Sequence, residues 1–242
     1  MSATRFAERV PKYGDSPIAL RDFMVGYFTP GGACYDATKN FTASPPGTHY
    51  LYSNLATALL GYLVEAATGT RLDDHCDARI FAPLSMADTG WHLADFAPRD
   101  VAMPYESVGG ELYEWGLFGY PDYPDGQLRS SADDLARFLA AWAGAGTYDG
   151  AQILEAATVA EALSVQFPDI DPTQGLSWYY DTVGARTVVG HNGSDYGVTT
   201  DMFFDPSTGH GVIVLINTDD TPARLKAMAR IEAALFALAE MP

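Results

Sequence analysis

Positive charge is what this chain most lacks. Its 242 residues carry 14 lysines and arginines against 31 aspartates and glutamates, a formal net charge of −17. A phosphate backbone calls for a basic surface, so nucleic-acid binding is excluded as a class. An anionic membrane surface is disfavoured for the same reason. Cysteine is scarce as well. Cys34 and Cys76 cannot build a disulfide framework in a chain this long, although they could pair once or remain thiols. No run approaches eighteen apolar residues, so no membrane-spanning helix is expected. Met1 to Pro11 lacks the basic-then-apolar pattern of a secretory leader, which gives a cytoplasmic expectation. Gly-x-Gly-x-x-Gly, the P-loop and His-Glu-x-x-His are all missing.

What is present suits a packed core. The chain is 48% hydrophobic and 12% aromatic, and its length fits one large domain or two small ones. After a Gly-Asp-Ser-Pro turn, Ile18–Met24 has the spacing of a short helix. Pro46-Gly47-Thr48-His49-Tyr50-Leu51-Tyr52-Ser53-Asn54 delivers a loop into a helix over Leu55–Thr68, with Ser53 or Asn54 as its cap and Gly69 as its left-handed end. Leu55, Leu59, Tyr62, Leu63 and Ala66 form its expected apolar stripe. A second helix spans about Arg71–Phe81 and stops before Pro83. Residues 84–128 read as irregular, cleft-lining loop. Ser131 caps a helix over Ala132–Ala143, with Asp134 as a partial capping box, and another helix spans Glu155–Val165.

From Gly175 the period becomes alternating. Leu176–Tyr180, Arg186–Gly190, Val198–Phe204 and Gly211–Asn217 read as strands, the last two joined by a turn at Asp205–Gly209. Thr221-Pro222 opens a final helix whose stripe is Leu225, Met228, Ile231, Leu235 and Leu238. The expected architecture is therefore α+β: a mostly helical region over 1–174, then an antiparallel sheet with a C-terminal helix over 175–242, in one compact unit.

Two clusters invite a chemical reading. Asp73-Asp74-His75-Cys76-Asp77 has zinc-ligand types, but it lies on the polar side of an amphipathic helix, where charge is expected. His92 and His210 stand alone. Gly190-His191-Asn192-Gly193-Ser194-Asp195 follows a strand, and its two glycines allow close backbone approach to a ligand or simply form a hairpin turn.

Several motifs in order resemble the serine β-lactamase-like hydrolases, which include class C β-lactamases, D-alanyl-D-alanine peptidases and related esterases. They are Pro46-Gly47-Thr48 with Tyr52-Ser53-Asn54, Glu65-x-x-Thr68-Gly69, Ile80-Phe81-x-Pro83-Leu84-Ser85-Met86, Asp125-Gly126-Gln127-Leu128-x-Ser130, Gly190-His191-Asn192-Gly193, and the hairpin from Asp205-Pro206 to Asn217. The likeness covers roughly residues 17–240. It implies Tyr52 as general base, Asn54 as a substrate-orienting amide, His191 as the polar group beside the tyrosine, and the Ser194 N–H as half of an oxyanion hole. Asn192, Gly193 and Asp195 would line the substrate. A phenol serves as base only if nearby positive charge favours its phenolate.

The chain departs from that family at its nucleophile. The residues three before Lys12, Lys39 and Lys226 are Arg9, Asp36 and Ala223, so Ser-x-x-Lys is absent from this sequence. The expectation is a β-lactamase-like fold without its N-terminal strands and nucleophile helix. Its expected activity is hydrolysis of small-molecule activated esters or phosphotriesters by a water on a divalent metal such as zinc, with His49 and His191 as first ligands. A tyrosine-based esterase and an inactive ligand-binding relative are the alternatives. The apolar strand Val212–Ile216 would be an open edge, and a homodimer is the expected means of covering it.

Overall fold

The computed structural model describes residues 14–241; the readings that fall on Met1–Pro11, Arg9 and Lys12 lie outside the described residues. By contact, the chain forms two compact units. The first holds the described residues through Asp77, with Gly90–Ala102 and Gly116–Arg129. The second holds Ala78–Thr89, Met103–Trp115 and everything from Ser130 onward. The boundary at residue 174 follows the change of period from helix to strand; the contacts group the helices after Ser130 with the sheet.

The first unit is helical. Helix α1 (Leu20–Phe28) buries Leu20, Phe23, Met24 and Tyr27. Helix α2 (Asn54–Thr68) starts on Ser53, whose side chain accepts from the Ala56 N–H at 3.2 Å, and ends on Gly69 at φ 70°. Its buried line differs from the expected stripe: Ala58 and Gly61 are buried while Leu63 is exposed. The reason is close approach. A Cβ on Gly61 would sit 2.8 Å from Pro124 and 2.9 Å from Leu72, so small residues make the contact and the leucines flank it. Helix α3 (Leu72–Cys76) continues as a wider π turn over Asp77–Phe81. The loop 116–129 is organised by Gln127 and Arg129. Gln127 accepts from the Tyr120 N–H at 2.7 Å, and Arg129 donates to the Trp91 and Phe118 carbonyls at 2.8 and 2.6 Å.

The second unit is built on a four-stranded antiparallel meander, β5 (Tyr179–Val183), β6 (Arg186–Asp195), β7 (Val198–Phe204) and β8 (Gly211–Ile216), in sequence order. Two short hairpins precede it: β1 (Tyr105–Val108) with β2 (Glu111–Glu114), and β3 (Thr147–Tyr148) with β4 (Ala151–Gln152). The first of these replaces part of the expected irregular loop. Both faces of the sheet are covered. Val188, Phe203, Val212 and Val214 pack with Met228 and Phe236 of helix α6 (Pro222–Ala239). Val189 and Phe204 pack with Leu139 of helix α4 (Ala132–Ala143) and with Trp178. Adjacent residues going to opposite cores is strand alternation at work. Helix α5 (Ala156–Leu163) completes the unit.

Three expectations are corrected here. The sheet's second strand does not stop at Gly190 but runs to Asp195, and the turn falls at Tyr196-Gly197. The α6 stripe is displaced: the buried line is Met228, Glu232 and Phe236, while Leu225, Ile231, Leu235 and Leu238 are exposed. Asp134 does not complete a capping box. Its buried carboxylate accepts instead from the Asp88 N–H at 2.7 Å and the Thr89 hydroxyl at 2.9 Å.

Gly190 is a fixed point of this sheet. It stands between Tyr179 on β5 and Phe203 on β7 in the pairing register, and those two rings meet edge to face across it, with centroids 5.6 Å apart. A Cβ there would collide with the Met202 carbonyl and lie 2.5 Å from the Phe203 ring. Gly190→Ala is therefore expected to destabilise the protein by about 1–3 kcal/mol through overpacking. Urea unfolding measures this, and an unchanged midpoint would contradict the close-packed row.

Candidate active site

The residues singled out for chemistry fall into two groups, one in each unit. His49, Tyr52 and Asn54 belong to the first. The loop that carries them exposes all three, and Asn54 forms the first residue of α2 beyond the Ser53 cap. His191, Asn192, Gly193, Ser194 and Asp195 belong to the second, on the last half of β6.

The acidity of the Tyr52 phenol is shifted by its surroundings. Burial, then the negative charge of Asp125, then Tyr50 push its phenol above the ordinary value. The Tyr52 hydroxyl thus keeps its proton more firmly than a free tyrosine.

The second group is better defined, because the ladder fixes which way each backbone group points. The Asp205 N–H bonds the His210 carbonyl at 2.8 Å, so the odd-numbered residues of β7 turn their N–H and C=O toward β8 and the even-numbered ones turn toward β6. Through the pairing His191↔Met202 and Gly193↔Thr200, His191, Gly193 and Asp195 spend their backbone groups on β7. The N–H groups of Asn192 and Ser194 then point to the other edge. Strand β5 pairs with β6 only as far as Gly190, so it does not cover this stretch. The Asn192 N–H is taken by the Tyr179 hydroxyl. The Ser194 N–H lies one step further along the same edge.

Side chains alternate with the backbone. Because Val189 packs on the α4 side, His191 and Asp195 fall on that side and Asn192 and Ser194 on the other. The His191 ring lies edge to face against Tyr179, centroids 5.7 Å apart. Its Nδ1 reaches the Asn192 carbonyl. A carbonyl only accepts, so this contact places a proton on Nδ1. The Asp195 carboxylate accepts from the Tyr196 N–H at 2.7 Å and so shapes the turn.

Other candidates resolve as structure. His92 pairs with Asp73 at 3.1 Å, and Arg71 binds the same carboxylate at 2.6 Å. The Asp73 hydrogen bond raises the His92 pKa. Burial alone would raise Asp73, but hydrogen bonds from His92 and Arg71 override it and hold that carboxyl below its usual range. Cys34 and Cys76 are not joined in a disulfide, and burial pushes Cys76 up to about 11. Among the described residues, no group of three or more His, Cys, Asp or Glu gathers to hold a metal ion. Sequence reasoning missed Tyr179, Asp201 and Glu232, since nothing in a linear pattern joins residues so far apart.

The fold and the ordered motifs define a class. The Beta-lactamase family model matches residues 28–235, and the chain belongs to that family. It is similar to the unguisins hydrolase of Aspergillus campestris, 29% identical over 73% of this chain and 34% of that protein. It is similar also to the N-acetylmuramyl-L-alanine amidase of Bacillus subtilis, 26% identical over 73% of this chain and 46% of that protein. The chain thus spans between a third and a half of the length of these relatives. Its fold is that of a penicillin binding protein from Bacillus halodurans, with TM-score 0.72 and 23% identity over 96% of this chain and 67% of that one.

The Tyr52 assignment predicts a measurable titration. The absorbance change of the wild type that is absent from Tyr52→Phe should have its midpoint above pH ~10, the ordinary phenol value. A midpoint below it would show a cation near the hydroxyl.

Proposed function

We propose that the chain is a hydrolase of activated acyl compounds, esters foremost, and that the open-edge N–H of Ser194 stabilises the oxyanion. The observation that carries this reading is the ladder parity on β6, which turns a backbone donor to an edge that β5 leaves uncovered. A donor fixed by a sheet needs no reorganisation as charge develops on the substrate oxygen. Membership of the Beta-lactamase family supports hydrolysis as the reaction class. The roles of Tyr52 as base and Asn54 as orienting amide rest on the motif resemblance. In this reading the attacking group is water. Phosphotriesters are a second substrate class with equally good leaving groups.

Ser194→Pro tests the donor. Proline deletes the outward N–H without touching the ladder to β7, as an edge position allows. The expected result is a loss of about 10²–10³-fold in kcat/KM on an activated ester with the fold retained, while Ser194→Ala keeps the activity. Equal activity of the two variants would remove Ser194 from the mechanism. Exhaustive chelation on the same substrate separates metal-activated water, which loses turnover, from the metal-free route. A wild type that turns over no ester, amide or phosphotriester would favour the ligand-binding alternative.

We propose further that the protein associates with a second copy of itself through the outer strand of the sheet. Strand β8 pairs with β7 alone among the described strands, and by the same parity its Gly211, Ile213 and Leu215 turn their backbone groups outward. Neither lysine nor proline interrupts Gly211–Ile216, the usual protections of an edge. The exposed Ile231, Leu235 and Leu238 of α6 add apolar surface in the same unit. Light scattering should give a dimeric mass at micromolar concentration, reduced to the monomer by Ile213→Lys. A monomeric wild type would end this reading.

A further inference from the structure

We propose that Asp201 and Glu232 share one proton, and that this proton fastens helix α6 to the sheet at the register position of Asn192. The geometry has three parts. Asp201 stands two residues before Phe203 on β7, so it shares the α6 face with Phe203, and it lies opposite Asn192. Glu232 sits one turn from Met228 and one turn from Phe236, the two side chains that anchor α6 in the core at 1% and 0% exposure. Glu232 itself is 6% exposed, and its Oε1 is fully buried with no N–H or hydroxyl donor in reach. What does meet the Glu232 side chain is the Asp201 carboxyl. Two carboxyl groups can hydrogen-bond only when a proton lies between them.

The groups around the pair give it no alternative. Strand β5 contributes Asp181 and Tyr179, which both interact with Asp201 or Glu232. Strand β6 contributes the uncharged Asn192, and β8 contributes Val212 and Val214. Lysine, arginine and histidine are missing from the charges that act on Asp201. With Glu232 buried, Asp201 half-buried and no cation beside them, two full charges are costly, and retaining one proton removes one of them. Burial, then the hydrogen bond and charge of Glu232, then the charge of Asp181 push the Asp201 acid up to about 8.

The consequence for stability has a definite sign. An unfolded aspartate releases its proton near pH ~4, whereas the folded pair retains it until the alkaline range. Between those limits the folded state holds the extra proton, so stability falls as pH rises. The contribution is complete at acid pH and gone once the pair has ionised. Above that point Asp181, Asp201 and Glu232 repel one another beneath α6. The inference stands independently of the hydrolase reading, because its readouts are protonation and unfolding.

The test uses the full chain. Carboxyl carbon NMR should find the Asp201 carboxyl protonated through neutral pH and titrating in the alkaline range. The melting temperature of Asp201→Asn, whose amide donates to Glu232 at every pH, should gain on the wild type from pH ~5 upward and hold that gain once the pair ionises. The protection of α6 amides, taken relative to the intrinsic exchange rate at each pH, should fall over the same interval in the wild type and not in the variant. An Asp201 carboxyl that titrates near pH ~4, or melting curves that stay parallel, would overturn the proposal. If Asp201→Asn does not fold, Glu232→Gln and the wild-type NMR titration decide between the same two outcomes.

Discussion

The register between β6 and β7 is the constraint from which the rest follows. Val189↔Phe204 through Asp195↔Val198 are paired without a bulge. A slip of one residue would exchange the two faces of a strand. Phe203 and Phe204 would trade cores, Asp201 would leave Glu232, and the Ser194 N–H would turn inward to the ladder. Gly190 helps to hold the register, because the Tyr179 and Phe203 rings can close over that position only if it lacks a side chain. One backbone alignment thus sets the core, the buried carboxyl pair and the outward donor together.

The acidic excess of the chain meets its two units differently. In the first, the half-buried Asp73 is satisfied by His92 and Arg71. In the second, Asp201 has no cation within reach, and the proton stands in for one. Basic residues are few enough that both solutions are needed in one protein. The first pair is favoured where His92 is charged, and the second loses its clasp in alkali, so both contributions weaken as the pH rises.

Much of the fold was legible where a local interaction decides it. The Ser53, Ser131 and Thr221 caps all accept from the first helical turn, and Gly69 ends α2 as its freedom at positive φ predicts. The strand Val198–Phe204 and the helix Ala132–Ala143 have the bounds read from the sequence. Reading failed where distant packing overrides pattern. Glycine pairs in Gly190–Asp195 suggest a turn, but seven paired residues of β7 keep that stretch extended. The leucines of α6 suggest the buried stripe, but the sheet accepts Met228, Glu232 and Phe236 instead, because a protonated carboxyl pair makes Glu232 fit to bury. The hairpin β1–β2 escaped notice because its second strand is exposed throughout and shows no alternation of burial.

By itself, then, the sequence determined the α+β class, the family through its ordered motifs, the helix ends, and the absence of Ser-x-x-Lys among these residues. Each is a matter of residue type and short spacing. Only the tertiary structure decided which edge the Ser194 N–H faces, that Tyr179 occupies the Asn192 N–H, that the charge of Asp125 acts on Tyr52, and that Asp201 finds Glu232. These depend on the parity of a ladder and on contacts between residues remote in the chain. Local propensity carries no record of either.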